Sequence, residues 1–358
     1  MKISDIHKIY KRLKKTYKNT LFVMWGLYWK KDLIYVVLRD GSHEKLSPEL
    51  TYSLSKLVEN NIEYSQKLIR ELEKLTNSEL GALVQMVEHD LEFIKAMDII
   101  QNKKFTSLEL RDLSHLISNG VEFSKAMDIM ERIIEMRQNE KIPYKNKDII
   151  MHGLKDNGDL IDVFIWEDYK FLNVNNEIVN DLGANIGDSA IYFALNGAKK
   201  VIALEPYPYS FNFAVRNVKE NNLEDKIEIL SAGYGKDAEI FVDENVKNEI
   251  GTNLKSSGNG RKIKSYSLGS LIKKLNLDTA ILKMDCEGCE YHILNENNSV
   301  LAKFPQMQIE FHNGSEKLVK KLRRAGFQVD YINREGSETF GYIYAKKPQA
   351  TINLLKNG

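Results

Sequence analysis

The chain has 358 residues, with Lys+Arg 51 against Asp+Glu 50 and a net charge of +1. That balance implies by itself neither a nucleic-acid nor a membrane partner. Hydrophobic residues at 43% are ample for a core, which excludes a disordered chain, and the length points to two domains. The N-terminus is Lys-rich with no apolar segment behind it, so no signal peptide is read there. The most apolar early run, Leu21 to Trp29, is far short of the roughly 20 residues a span needs. With two cysteines, Cys286 and Cys289, read as free thiols, the expectation is a cytoplasmic protein without a membrane span.

Met1 to Asn19 is expected to be an amphipathic helix, with Ile3, Ile6, Ile9, Tyr10, Leu13 and Tyr17 at helical spacing among lysines. Leu21 to Leu38 reads as two strands around Lys30-Lys31-Asp32, followed by a turn at Arg39-Asp40-Gly41. Between Pro48 and Ile134 an internal repeat appears: the segment 58–65 recurs at 87–94 and again at 117–124. The last two copies share Lys-Ala-Met-Asp-Ile at 95–99 and 125–129. Each unit reads as a helix, a polar break (Asn60-Asn61, His89-Asp90, Asn119-Gly120) and a second helix. A stacked array with a period of about 30 residues follows from that pattern. Residues 48–134 are therefore a candidate surface for a protein partner or for self-association. Gln138 to Lys147 reads as a linker, with Pro143 forbidding a continuous helix. The domain boundary is placed there, giving 1–148 and 149–358.

Leu160 to Val174 reads as a hairpin or two edge strands. The central stretch is Glu177 to Asp188, E-I-V-N-D-L-G-A-N-I-G-D: a short apolar strand, a turn with Gly183 and Gly187, then a helix start. Glycines without a Cβ let the backbone approach a ligand, and helix-start amides then face it. The G-x-x-x-G spacing is not the G-x-G-x-x-G of dinucleotide pyrophosphate sites. Glu205 ends the next strand (Val201 to Leu204), where an acid about 20 residues on can take both hydroxyls of a ribose. Asp181 either binds a ligand ammonium or holds the turn. A ligand with a ribose and an amino-acid end but no phosphate suits these parts, and S-adenosylmethionine is that ligand. A third strand, Ile227 to Leu230, ends at Ser231-Ala232-Gly233, where an adenine would rest.

Asp237 to Lys264 is polar and Gly/Ser/Asn-rich, which reads as a hairpin or lid. Thr279 to Asp285 and Gln306 to Phe311 are the fourth and fifth core strands, and 327–332 with 339–345 form a closing hairpin. Alternating strands and helices imply a mainly parallel sheet covered on both faces, with ligands beyond the strands' carboxyl ends. Asp285, Glu287 and His312 all fall at that edge. The acids there would accept a proton from an alcohol, orient it, or hold a divalent cation, while capping of the next turn is the structural alternative. His312 titrates in the range of a general base. Lys283 is expected to pack in the sheet or pair with an acid. The Cys286-x-x-Cys289 pair lacks a second pair of ligands nearby, which argues against zinc or redox work.

Together, Asp181-Leu182-Gly183-Ala184-Asn185-Ile186-Gly187-Asp188, Glu205-Pro206 with Phe211 and Asn217, the run 283–290, and Ile309-Glu310-Phe311-His312 resemble the FkbM-type S-adenosylmethionine-dependent methyltransferases. The resemblance covers about Val163 to Ala345. It implies a class I, Rossmann-like, seven-stranded α/β fold, here preceded by an α-helical repeat-containing region. It also implies methyl transfer to oxygen, on a sugar or natural-product-like small-molecule or glycan acceptor rather than a nucleic acid. Asp181, Gly183, Asn185, Gly187 and Glu205 would then bind the cofactor, with Asp188, Ser231 and Ala232 beside them. Asp285 and Glu287 would line the acceptor site, with Asp285 or His312 as base; no metal is assigned. A nicotinamide-dependent oxidoreductase, a non-catalytic cofactor-binding module and a scaffold acting through the repeats are the rival readings.

Overall fold

The computed structural model describes residues 3–348 except 30, 64, 90, 103–104, 119, 139–140, 154–158, 244–259, 276–278 and 335–336. Its contacts divide the chain into two units, Met1–Ile134 and Glu135–Gly358. In the first, the N-terminal segment forms α1 (Ile3–Thr16). Leu21 to Trp29, expected as a strand, is instead helix α2 (Thr20–Tyr28). An apolar run of that length carries no period to separate the two. Packing decides it: Gly26 lies against Ile34 of β1 (Ile34–Val37), and a Cβ there would stand 3.1 Å from the isoleucine. β1 pairs antiparallel with β2 (His43–Leu46).

Six helices follow: α3 (Pro48–Glu59), α4 (Gln66–Leu72), α5 (Asn77–Glu88), α6 (Phe93–Gln101), α7 (Ser107–Ser118) and α8 (Phe123–Gln138). The polar breaks of the sequence lie between α3 and α4, α5 and α6, and α7 and α8. One device starts both α5 and α7. Thr76 Oγ1 accepts from the Glu79 N–H while the Glu79 carboxylate accepts from the Thr76 N–H at 2.7 Å. Thr106 and Glu109 repeat the exchange. Each such capping box satisfies two otherwise orphaned helix-start donors. α1 packs on α3, α3 on α5, and α5 on α7.

The second unit opens with a hairpin, β3 (Lys141–Tyr144) and β4 (Lys147–Ile150), where a linker was expected. Both strands of a two-stranded ribbon are edges and tolerate a proline; Ile142, Tyr144 and Ile149 anchor the ribbon by being buried. Leu160 to Val174, expected as strands, forms α9 (Asp159–Phe164) and a 3₁₀ turn over Asp168–Phe171. The buried residues Leu160, Ile161 and Phe164 recur at helical spacing, so a period of two was the wrong reading.

The remaining elements alternate. They are β5 (Ile178–Leu182), α10 (Asp188–Leu195), β6 (Lys200–Leu204), α11 (Pro208–Glu220), β7 (Ile227–Leu230), β8 (Ala232–Tyr234), β9 (Ala238–Val242) and β10 (Arg261–Tyr266). Then come α12 (Leu268–Leu275), β11 (Ile281–Met284), α13 (Asn298–Leu301), β12 (Gln306–Phe311), α14 (Glu316–Arg324), β13 (Gln328–Asn333) and β14 (Gly341–Lys346). A seven-stranded sheet runs β13-β14-β12-β11-β5-β6-β7. β14 is antiparallel to both of its neighbours, while the pairs from β12 to β7 are parallel. This is the class I α/β sheet expected, closed by the expected hairpin. β8, β10 and β9 form a small side sheet; β9 and β10 are the base of the expected lid, whose stretch 244–259 lies outside the described residues.

The sheet has two different faces. Val179, Val201, Ala203 and Ile281 point into a core with Ile191, Tyr192 and Phe193 of α10. Leu182, Leu282, Met284, Ile309 and Phe311 point the other way, into a core with Leu271, Leu318 and Leu322. Asp181 and Lys283 sit side by side on the first face, paired in register across β5 and β11. Among the described residues no helix is long and apolar enough to cross a membrane.

Candidate active site

β5, β6, β7, β11 and β12 all end at one edge of the sheet, and the chain turns just beyond carry the polar residues. After β5, Gly183 and Gly187 adopt φ of +82° and +87°, and Asn185 between them +48°. Gly183 is there for a steric reason as well: a Cβ would stand 1.7 Å from the Asp285 carbonyl oxygen. The β5 turn and the β11 turn therefore touch backbone to backbone. Asp285 N–H donates to the Leu182 carbonyl at 3.0 Å, and Lys283 Nζ donates to the Gly183 carbonyl at 2.6 Å.

Beneath this contact lies a sealed charge cluster. Lys283 Nζ stands 3.1 Å from Asp181, the two side chains being 2% and 0% exposed. Ser189 Oγ donates to the other Asp181 oxygen at 2.6 Å. Asp188, in the first turn of α10, is buried too and accepts from the Ser189 N–H. Burial alone would lower the Lys283 pKa, but the charges of Asp181, Asp285 and Asp188 outweigh it and hold the ammonium above its ordinary value. Asp181 thus holds the turn, one of the two roles its sequence position allowed. Asp188 lies in the same sealed layer.

Glu205, also buried, ends β6 as expected, and its carboxylate accepts from the N–H of Asn185 at 2.9 Å and of Tyr207 at 2.8 Å. It ties the glycine turn to the β6 turn. Ser210 Oγ donates to the Asn185 side-chain carbonyl at 3.2 Å, steadying the left-handed residue. Beyond β7, Ala232 is buried in β8, and the buried Ser231 Oγ has no hydrogen-bond partner.

Across the crevice, Asp285, Glu287 and His312 come together at the ends of β11 and β12. One donor atom of each lies within 4.8 Å of the others. His312 is held by a carboxylate from the turn that follows β11. Glu290, wholly buried, accepts from both the backbone N–H of His312 at 3.0 Å and its Nδ1 at 3.1 Å, while its second oxygen accepts from the Gly288 N–H. His312 Nε2 faces Glu287 at 3.4 Å. Burial lowers the imidazole pKa, but the Glu290 hydrogen bond and the carboxylates around it raise it overall. Glu310 of β12 faces Asp285; burial first, then that carboxylate, push Glu310 far above the usual range, and Arg334 lies 3.8 Å away. Glu310 lacked any sequence signal beyond a carboxylate placed in an apolar strand.

The two cysteines, expected as free thiols, are joined as a disulfide. Gly288 at φ +111° turns the chain between them and brings their Cα atoms to 5.4 Å, within bridging range. The disulfide closes the loop that carries Glu287.

This chain is similar to several known proteins. A tRNA(Phe) (4-demethylwyosine(37)-C(7)) aminocarboxypropyltransferase of Pyrococcus horikoshii is 38% identical over 74 residues, which cover 21% of this chain. The chain spans only 25% of that relative's length. Protein 158B of Sulfolobus islandicus rod-shaped virus 1, of unassigned function, is 29% identical over 187 residues, 51% of this chain and 90% of the viral protein. Among solved structures, a precorrin-6y C5,15-methyltransferase of Geobacter metallireducens aligns at a TM-score of 0.35 and 14% identity, covering 55% of this chain and 94% of that one. The methyltransferase FkbM domain family matches residues 181–329, the span running from Asp181 under the glycine turn to the start of β13, and the chain carries a methyltransferase FkbM domain there.

Proposed function

We propose that the protein is an S-adenosylmethionine-dependent methyltransferase acting on a hydroxyl of a sugar or natural-product-like acceptor. The observation that carries the reading is the gathering of these residues at one edge of the sheet. The glycine turn, Glu205 and the unpartnered Ser231 Oγ follow β5, β6 and β7, and the part-exposed Asp285, Glu287 and His312 follow β11 and β12. The first set fits the cofactor. The Glu205 carboxylate stands at the end of β6 against the glycine turn, bonded to the Asn185 and Tyr207 amides, where an acid suits ribose hydroxyls. Ser231 offers a buried hydroxyl where an adenine edge would lie. Bound there, S-adenosylmethionine supplies an activated methyl, so the chain's task is to align an acceptor oxygen and manage one proton. Asp285, or His312 with its ring fixed by Glu290, would take that proton.

Calorimetric titration with S-adenosylhomocysteine, with NADH as control, tests the cofactor. Selective binding that disappears in Glu205→Ala with the fold intact by circular dichroism supports the reading; preference for NADH turns it toward an oxidoreductase. Asp285→Asn should spare that binding and cut turnover. A second reading, an RNA acceptor, is favoured by the name of the Pyrococcus relative. Transfer of label from the methyl-labelled cofactor to tRNA, and not to a panel of hydroxyl compounds, would select it. We further read α3 to α8 as three repeats that offer a face for a protein partner or for self-association, which sedimentation of the full chain tests.

A further inference from the structure

We propose that Asp285, Glu287 and His312 form a binding site for a divalent cation of the Mg2+/Mn2+ class, whose remaining positions take oxygens of the acceptor. The inference rests on the methyltransferase reading for its purpose but not for its geometry.

Three observations carry it. The donor atoms, two carboxylate oxygens and one imidazole nitrogen, lie within 4.8 Å of one another and come from two strand ends that the sheet fixes side by side. The two carboxylate oxygens suit Mn2+ and Mg2+, and the single imidazole favours Mn2+ of the two. Second, the histidine is prepared as a ligand. Glu290 is wholly buried and accepts from Nδ1, so that nitrogen carries the proton and Nε2 is the one turned toward Glu287. A buried carboxylate behind a histidine, fixing its tautomer and ring, is the outer-shell arrangement of metal-bound imidazoles. Glu290 also accepts from the His312 backbone N–H, so ring and backbone are located together. The ring is further set against Phe340, with centroids 5.2 Å apart. Third, access is graded in the right sense. Glu290 is sealed, while His312 and Glu287 side chains are 16% and 33% exposed, so the two ligands in front of it are reachable from solvent.

The site also lies at the right place for an acceptor. Asp285 is the residue whose carbonyl packs on Gly183, so a cation held by its carboxylate stands beside the turn assigned to the cofactor. A hydroxyl oxygen coordinated there would be oriented by the metal rather than by a hydrogen bond alone.

The test is Mn2+ binding to the full-length protein after chelator treatment, read by electron paramagnetic resonance and by calorimetry. One Mn2+ per chain is expected, displaced by excess Mg2+. Glu287→Gln and His312→Ala should weaken it at least tenfold, and Glu290→Gln by about 10 to 100-fold through the ring it positions. Glu287 is part-exposed, so Glu287→Gln keeps the test valid if the Glu290 variant fails to fold. S-adenosylhomocysteine affinity, measured in parallel, should be unchanged in Glu287→Gln. Absence of stoichiometric Mn2+ in the wild type, or equal Mn2+ affinity in the folded Glu287 and His312 variants, overturns the inference. If the homocysteine ligand binds and Mn2+ does not, the metal site falls and the methyltransferase reading stands. If Mn2+ binds at these residues and the homocysteine ligand does not, the reverse holds.

Discussion

The two sides of the crevice are built on opposite plans. On the glycine-turn side the charges are sealed: Asp181 and Lys283 are 0% and 2% exposed and neutralise each other under the backbone. On the far side Glu287 and His312 remain partly open, and only Glu290 behind them is closed off. The Asp181–Lys283 pair braces the backbone of the glycine turn, since Lys283 also donates to the Gly183 carbonyl. Part-open charges, with the sealed Glu290 behind His312, are the arrangement for contact. The same residue types therefore act as scaffold on one side and as candidate chemistry on the other.

The sharpest way to break this division is Gly183→Ala. A Cβ 1.7 Å from the Asp285 carbonyl, at positive φ, cannot be absorbed by a side-chain shift. We expect a loss of at least about 4 kcal/mol or failure to fold, read by urea denaturation. Lys283→Met comes next, leaving Asp181 buried without its ion-pair partner, at a cost of about 3–5 kcal/mol. A loss below about 1 kcal/mol in the same experiment would mean the pair is not the anchor described.

Asp168 tests burial without ligand contact. Burial, then the neighbouring Asp162, raises its pKa from 3.8 to about 6, while Tyr342 donates to it at 3.2 Å. With the folded pKa above the unfolded one, the contribution is whole below pH 3.8 and is lost as pH rises through about 6. At pH 8 the wild type carries the full cost of a buried carboxylate. Asp168→Asn should therefore gain about 1–3 kcal/mol at pH 8 and nothing near pH 4, a difference that thermal melts at the two pH values would show. The smallest effect belongs to the open side. Glu287→Gln should change stability by no more than about 0.5 kcal/mol, so any larger drop would place Glu287 among the scaffold residues.

Much of the second unit was legible in the sequence because short apolar runs ending in Gly, Asp or Pro can be little else than buried strands. The parallel core strands, the glycine turn and the position of Glu205 followed from that, while the seven-stranded class was what the family resemblance implied. Where apolar residues had no clear period the reading failed, as at Leu21 to Trp29 and Leu160 to Phe164, both helices. Pro143 was read as a linker because a proline excludes helix and central strand but not a ribbon edge. The sequence placed Asp285 and His312 at one edge, yet the support of His312 by Glu290 was hidden. It depends on β11 and β12 lying in register, a pairing that no local pattern encodes. Lys283 did carry a signal: a lysine between Leu282 and Met284 in an apolar strand needs a buried counter-charge.

The backbone contact between Gly183 and Asp285 has a thermodynamic consequence. With only hydrogen at the Gly183 Cα facing the Asp285 carbonyl, and with Lys283 and Asp285 both bonded to the β5 end, neither turn can move without the other. Under the proposed function, binding at the two sides would be linked, and whatever one ligand does to the affinity of the second, the second must do to the first. Variants on opposite sides of the crevice should for the same reason fail to add, and the shortfall in a double-mutant cycle would measure how tightly the two turns are joined.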